Sequence, residues 1–198
     1  MPWRERQLEL LRSLDGDESL HVWCLGRQSG KSSMAAAAAV WNACLRPDLD
    51  EVLPRGDWRA TPVVSPSQEQ SSRFISKVAA AVEASPMLAA HAELQRDRID
   101  FRIPRVDRNG QKFIAKTQVI AIPANSKNIR GLTGAMCIIE EAAHLNDATG
   151  GPADDKRLFD AIGSTLTMFG ERRCFLIISS MYGESGVFFE TLEGVQSG

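Results

Sequence analysis

The chain has 198 residues, 43% of them apolar and 24% charged, with a formal net charge of −2. That length allows one sizeable core or at most two small domains, and the composition is that of an ordinary soluble globular protein. The charge balance excludes a polycation that coats nucleic acid with its whole surface, so any contact with DNA has to come from a local patch.

The opening residues, Met-Pro-Trp-Arg-Glu-Arg, contain no apolar stretch of the signal-peptide kind. No apolar run reaches the ~18 residues of a membrane span, so a cytoplasmic protein is expected. The cysteines, Cys24, Cys44, Cys137 and Cys174, have no metal-ligand spacing. They are expected to be small hydrophobes in a reducing compartment. His21, His91 and His144 are scattered, which argues against a metal centre.

In chain order, residues 4–14 place apolar side chains at 8, 10, 11 and 14, the spacing of a short amphipathic helix. Residues 20–25 (LHVWCL) predict a buried strand. After a glycine-containing turn comes SSMAAAAAVWNACL, a run of high helix propensity that should end near Arg46, because Pro47 disfavours helical geometry in the residue before it. Residues 47–61, with Pro47, Pro54 and Gly56, predict a loop. A second strand is expected over 62–65 and a second helix over 67–83. Residues 99–106 and 112–122 predict two strands joined at Asn109-Gly110, a strong hairpin signal. The runs at 135–139 (AMCII) and 174–178 (CFLII) suit a parallel sheet covered on both faces, with a helix between them at about 155–168. Strands alternating with helices predict an α/β domain with a mostly parallel central sheet flanked by helices, plus a β-hairpin insertion.

Chemistry concentrates in Gly26-Arg27-Gln28-Ser29-Gly30-Lys31-Ser32, followed by Ser33. A phosphate cradle needs a strand, a tight loop with inward backbone N–H groups and a helix whose N-terminus faces the anion. It also needs a lysine for the β/γ-phosphates and a hydroxyl for Mg²⁺. All occur here in order. In the general phosphate-loop pattern the first glycine falls at position 25, which is Leu25; here it is shifted to Gly26. The second signal is Met136-Cys137-Ile138-Ile139-Glu140-Glu141. An apolar strand ending in two acids sets the first, Glu140, near Mg²⁺ and the second, Glu141, near an attacking water as base or positioner. The first acid in such sites is usually Asp. The third signal is Ser179-Ser180 at the end of another apolar strand, suited either to sensing the γ-phosphate or to an ordinary strand-to-loop junction.

Residues 95–130 carry nine basic and three acidic side chains, a local +6 (9 − 3). Arg102, Arg105, Arg108 and Lys112 lie on the hairpin and form either a DNA-contacting surface or a solvated face. Fast phosphoryl transfer often draws on an arginine as well. Arg27 lies inside the loop, within reach of its own nucleotide. Arg130 precedes Glu141 by 11 residues (141 − 130). An extended segment at ~3.3 Å per residue separates them by more than about 15 Å, so Arg130 suits a neighbouring subunit's site.

Together these motifs resemble the ATPase domain of the large terminase subunit of tailed bacteriophages, which packages DNA into procapsids. Arg6-Gln7-Leu8-Glu9-Leu10-Leu11 resembles its adenine motif, with Gln7 facing the base. The loop at 26–32 resembles its variant Walker A, which accounts for Leu25. Val64 to Gln70 is similar to the segment after its second strand. Ile129-Arg130-Gly131 with Ile139-Glu140-Glu141 resembles its Arg-Gly element and Walker B, and Ile178 to Gly183 resembles its coupling motif, which gives Ser179 and Ser180 a coupling role. The resemblance implies a P-loop NTPase fold of ASCE type over 1–198, ATP and Mg²⁺, and double-stranded DNA as track. It also implies a homo-oligomeric ring on a portal, a small terminase subunit as partner, no membrane, and the host-cell cytoplasm. In that family an RNase H-like nuclease domain follows, and no second acid cluster of that kind is expected here. A helicase-type ATPase and a nucleotide-gated assembly module with little turnover are the competing readings.

Overall fold

The computed structural model describes residues 4–124, 129, 131–145, 152–180 and 187–196. Helix α1 (Glu5–Ser13) leads into β1 (Leu20–Cys24), the loop over 25–30 and α2 (Lys31–Cys44). Strand β2 (Trp58–Ser65) is followed by α3 (Gln68–Glu83), a short α4 (Pro86–Ala89), β3 (Ala92–Leu94), β4 (Arg98–Val106) and β5 (Lys112–Pro123). The rest comprises β6 (Met136–Glu140), α5 (Pro152–Leu166), β7 (Cys174–Ser179) and α6 (Val187–Gln196).

All seven strands form one sheet in the order β1-β7-β6-β2-β5-β4-β3. The first five are parallel, β4 is antiparallel to β5, and β3 at the edge is antiparallel to β4. The carboxyl ends of β1, β7, β6 and β2 therefore meet on one rim, the place where open α/β sheets bind ligands. Paired positions alternate between two cores. Val63, Ile138 and Ile178 pack under α2 and α3, and Val64, Ile139 and Ile177 pack under α5 and α6. The alanines of α2 let it lie close to the sheet: Ala35, Ala36, Ala38, Ala39 and Ala43 are all buried.

Three details differ from the expectations. First, β2 begins at Trp58, four residues before 62. Pro62 reads as the start of a strand because it cannot donate to a ladder, yet it sits inside one. Between the Ala60–Gly134 bridge and the Val63–Ile138 pair, β2 advances three residues and its neighbour four. That bulge is where a central strand tolerates proline. Gly134 is required there, since a Cβ would lie 2.3 Å from the Ala60 carbonyl oxygen. Second, the expected loop over 47–61 holds a 3₁₀ turn, Pro47–Leu49, with Leu49 fully buried. Third, the hairpin forms as expected, with Asp107 Oδ1 accepting from the N–H groups of Asn109 (2.9 Å) and Gln111 (2.8 Å). It does not stand off as an insertion, because β5 pairs along all of β2.

The C-terminus of α2 is held by charge. Arg59 on β2 donates to the carbonyls of Asn42 (2.6 Å) and Ala43 (3.4 Å), and Arg105 on β4 donates to that of Cys44. Asp50 joins the two guanidiniums, with Oδ1 3.1 Å from Arg59 and Oδ2 2.9 Å from Arg105. These are the carbonyls a helix end leaves without intrahelical donors. The cysteines are all free, and Cys44, Cys137 and Cys174 are buried. No helix among the described residues is long and apolar enough to cross a membrane.

Candidate nucleotide-binding site

The loop between β1 and α2 begins by extending the sheet, the Leu25 N–H donating to the Ser179 carbonyl at 3.0 Å. It then turns through two left-handed residues, Gln28 (φ 60) and Gly30 (φ 82). Gly30 is the N-cap of α2, and no side chain caps the N-terminus of that helix. Gln7 braces the loop from α1. Its Nε2 donates to the Ser29 carbonyl at 2.9 Å and its Oε1 accepts the Arg4 N–H at 2.8 Å. One N–H and one acceptor lone pair of the amide stay open, enough to meet a base edge.

Lys31 is buried, and its Nζ lies 3.1 Å from Glu141 Oε1. Glu141 has φ 53, so the two non-glycine residues with positive φ among the described residues, Gln28 and Glu141, both stand at this site. Backbone strain of this sort is costly, and it collects at functional positions. Glu141 Oε2 is buried without a hydrogen-bond partner. Glu140 is buried. Burial raises the Glu140 pKa above its ordinary value, opposed by the Ser32 hydroxyl and by the charges of Lys77 and Lys31.

Ser179 is fully buried. Its hydroxyl accepts the Ala143 N–H (3.1 Å) and donates to the Ser180 carbonyl (3.0 Å). With its carbonyl on Leu25, it ties the ends of β1, β7 and the segment after β6 together. Above these residues lies a pocket of about 360 Å³. Arg27, Gln28, Lys31, Glu141 and Ser180 line it, together with Gln70 and His144.

The structure thus gathers Gln7, the 26–32 loop, Glu140, Glu141, Ser179 and Ser180 on one rim. Ser33 lies on the exposed side of the first turn of α2. Arg130 lies outside the described residues. Gln70 and His144 were not anticipated. Gln70 has a signal in hindsight: Ser67 caps α3 by accepting the Gln70 N–H, and the start of a helix after a parallel strand faces the ligand rim. His144 follows Glu141 on a 3₁₀ turn (Ala142–His144) that no sequence pattern announced.

The basic hairpin requires a correction. Arg105 is committed to Asp50 and Cys44, with its side chain only 20% exposed, and is not available to DNA. Arg102 pairs with Glu93 (3.1 Å) and stacks over Trp58, and Arg108 pairs with Glu51 (3.1 Å). Lys112 is exposed. Asp50, Glu51 and Glu93, outside residues 95–130, offset three of the six excess positive charges (6 − 3 = 3).

No protein-family model matches the chain. The large terminase subunits of Thermus virus P23-45 and Thermus phage G20c are each 32% identical to it over 129 residues, 63% of this chain and 25% of each relative. The match therefore spans about a quarter of the length of these relatives. Among solved structures, the Thermus phage P74-26 large terminase ATPase domain superposes with a TM-score of 0.67 at 26% identity, covering 96% of this chain and 68% of that one. The HK97 bacteriophage large terminase gives a TM-score of 0.68 at 16% identity, over 100% of this chain and 37% of that one, a likeness of fold. By sequence the chain is similar to the large terminase subunits of two Thermus phages, and by architecture it has the fold of the Thermus phage P74-26 large terminase ATPase domain.

Proposed function

We propose that residues 1–198 form the ATP-hydrolysing domain of a motor that drives double-stranded DNA into a viral procapsid. The observation that carries this reading is the Lys31–Glu141 pair, 3.1 Å apart at the mouth of the phosphate loop. A triphosphate entering the loop competes for Lys31 and so frees Glu141. Glu141 then accepts a proton from water as that water attacks the γ-phosphorus. The bond from phosphorus to the bridging oxygen breaks, and ADP departs with the electron pair. Ser32, on the first turn of α2, and Glu140, at the carboxyl end of β6, fit a Mg²⁺ site of one carboxylate and one hydroxyl completed by phosphates. When bound, the ion supplies neutralisation of phosphate charge. Gln7 holds the loop and offers its open amide groups to adenine.

Arg27 lines the pocket and can act on its own nucleotide, whereas Arg130 is assigned to a neighbour's. Combining Arg130→Ala with Lys31→Ala protein should restore hydrolysis absent from either alone. If the two assemble and stay inactive, Arg27 takes that role. A ring of copies on a portal, a small terminase subunit and the host cytoplasm complete the proposal and rest on the family.

The test is phosphate release by this chain with and without double-stranded DNA. DNA-stimulated release without strand separation supports the motor, and strand separation supports a helicase. ATP binding with no release would favour a nucleotide-gated assembly module, the reading that Glu140 in place of the usual Asp sustains.

A further inference from the structure

The carboxyl end of β2 lies beside that of β6. The register pairs Val63 with Ile138 and Val64 with Ile139, so the next pair is Ser65 with Glu140. Side chains alternate between faces along a strand. Val63 and Ile138 belong to the core under α2 and α3, so Ser65 and Glu140 point to that side too. Ser71 lies on the inner face of α3, one turn before Phe74 and Ile75, which are buried in the same core. Ser32 lies on the first turn of α2, the helix that covers the same side of the sheet.

Ser65 and Ser71 are both 0% exposed, and neither hydroxyl has a hydrogen-bond partner. An unsatisfied buried hydroxyl destabilises the fold. Alanine would fill either place at nearly the same volume, and the adjoining α2 uses alanine throughout. Two idle hydroxyls on the side of the sheet that carries the buried Glu140 are therefore not packing filler.

The chemistry of a small hard cation supplies a partner for them. Mg²⁺ dehydrates reluctantly, keeps several waters and takes one or two carboxylates plus substrate phosphates. No cluster of three His, Cys, Asp or Glu that could hold a metal occurs among the described residues. A cation here would keep a shell rich in water, whose protons need acceptors. Resting on the nucleotide-site reading above, we propose that Ser65 and Ser71 accept hydrogen bonds from the water ligands of a Mg²⁺ held by Ser32 and Glu140. Both are positioning residues that act through the ion's waters.

Ser65→Ala, Ser71→Ala and the double variant test this without recourse to turnover. Three quantities are measured: thermal unfolding without ligand, affinity for a fluorescent ATP analogue in EDTA, and the Mg²⁺ affinity of the analogue-bound protein. Removing an idle hydroxyl should leave unfolding unchanged or raise its midpoint, and binding in EDTA should match the parent. Mg²⁺ affinity should fall about tenfold or more in the double variant, the scale of outer-shell metal partners. A Mg²⁺ affinity equal to the parent's, with analogue binding retained, overturns this assignment alone. If one variant fails to fold, the other still decides. A parent chain that binds no analogue at all overturns the nucleotide-site reading instead.

Discussion

The two ends of α2 use the same pair of groups, a basic side chain against a carboxylate, and they are finished differently. At the C-terminus, Arg59 and Arg105 take the carbonyls of Asn42, Ala43 and Cys44, and Asp50 gives one oxygen to each guanidinium. At the N-terminus no side chain caps the helix, and Lys31 holds only one oxygen of Glu141. Glu141 Oε2 and Ser29 Oγ are buried with no partner. The first end is closed over the helix carbonyls, although Arg59 Nε is itself buried without a partner, and the second keeps carboxylate and hydroxyl oxygens in reserve. Meeting the helix carbonyls contributes stability, and oxygens left over beside the loop are what a ligand can complete.

The largest effect expected is from Lys31→Ala, which removes the cation of the open end. Hydrolysis should be lost and ATP binding weakened, while circular dichroism stays that of the parent. Hydrolysis at the parent rate would sink the phosphate-loop assignment. Next comes Asp50→Ala at the closed end, where Arg59 and Asp50 side chains are each 3% exposed. It leaves a buried guanidinium without its carboxylate, a loss of about 3–5 kcal/mol readable in denaturant unfolding. A loss below about 1 kcal/mol would show that the clamp is not what closes that end.

Glu141→Gln separates the two ends most clearly. It should bind ATP tightly and turn over roughly 100-fold or more slowly, with a denaturation midpoint near the parent's. If Glu140→Gln shows that loss and Glu141→Gln does not, the two acids exchange roles. The smallest effect is expected from Gln7→Ala, which loosens the brace on Ser29 and should narrow the preference for ATP over GTP. An unchanged ratio of the two affinities would leave Gln7 as a brace only.

What was legible in the sequence follows the same division. The phosphate loop and the two acids could be read because their chemistry needs contiguous residues at strand ends. The strands could be read because fully buried parallel strands are uninterrupted apolar runs. The start of β2 was hidden by Pro62, which only a bulge on the neighbouring strand admits. The Arg59–Asp50–Arg105 clamp joins residues up to 55 positions apart, beyond the reach of any local pattern. Its absence from view made Arg105 look like a DNA contact. Ser65 and Ser71 carry no signal either, since nothing in a sequence shows that a serine is buried without a partner.

Ser179 has a mechanical consequence. Its carbonyl holds Leu25 at the start of the phosphate loop and its hydroxyl holds Ala143, two residues past Glu141. For one to move without the other, a hydrogen bond to a fully buried serine must break, stranding a polar group at about 1–3 kcal/mol. Within that limit the loop and the acid share one degree of freedom, so what displaces either is registered by both.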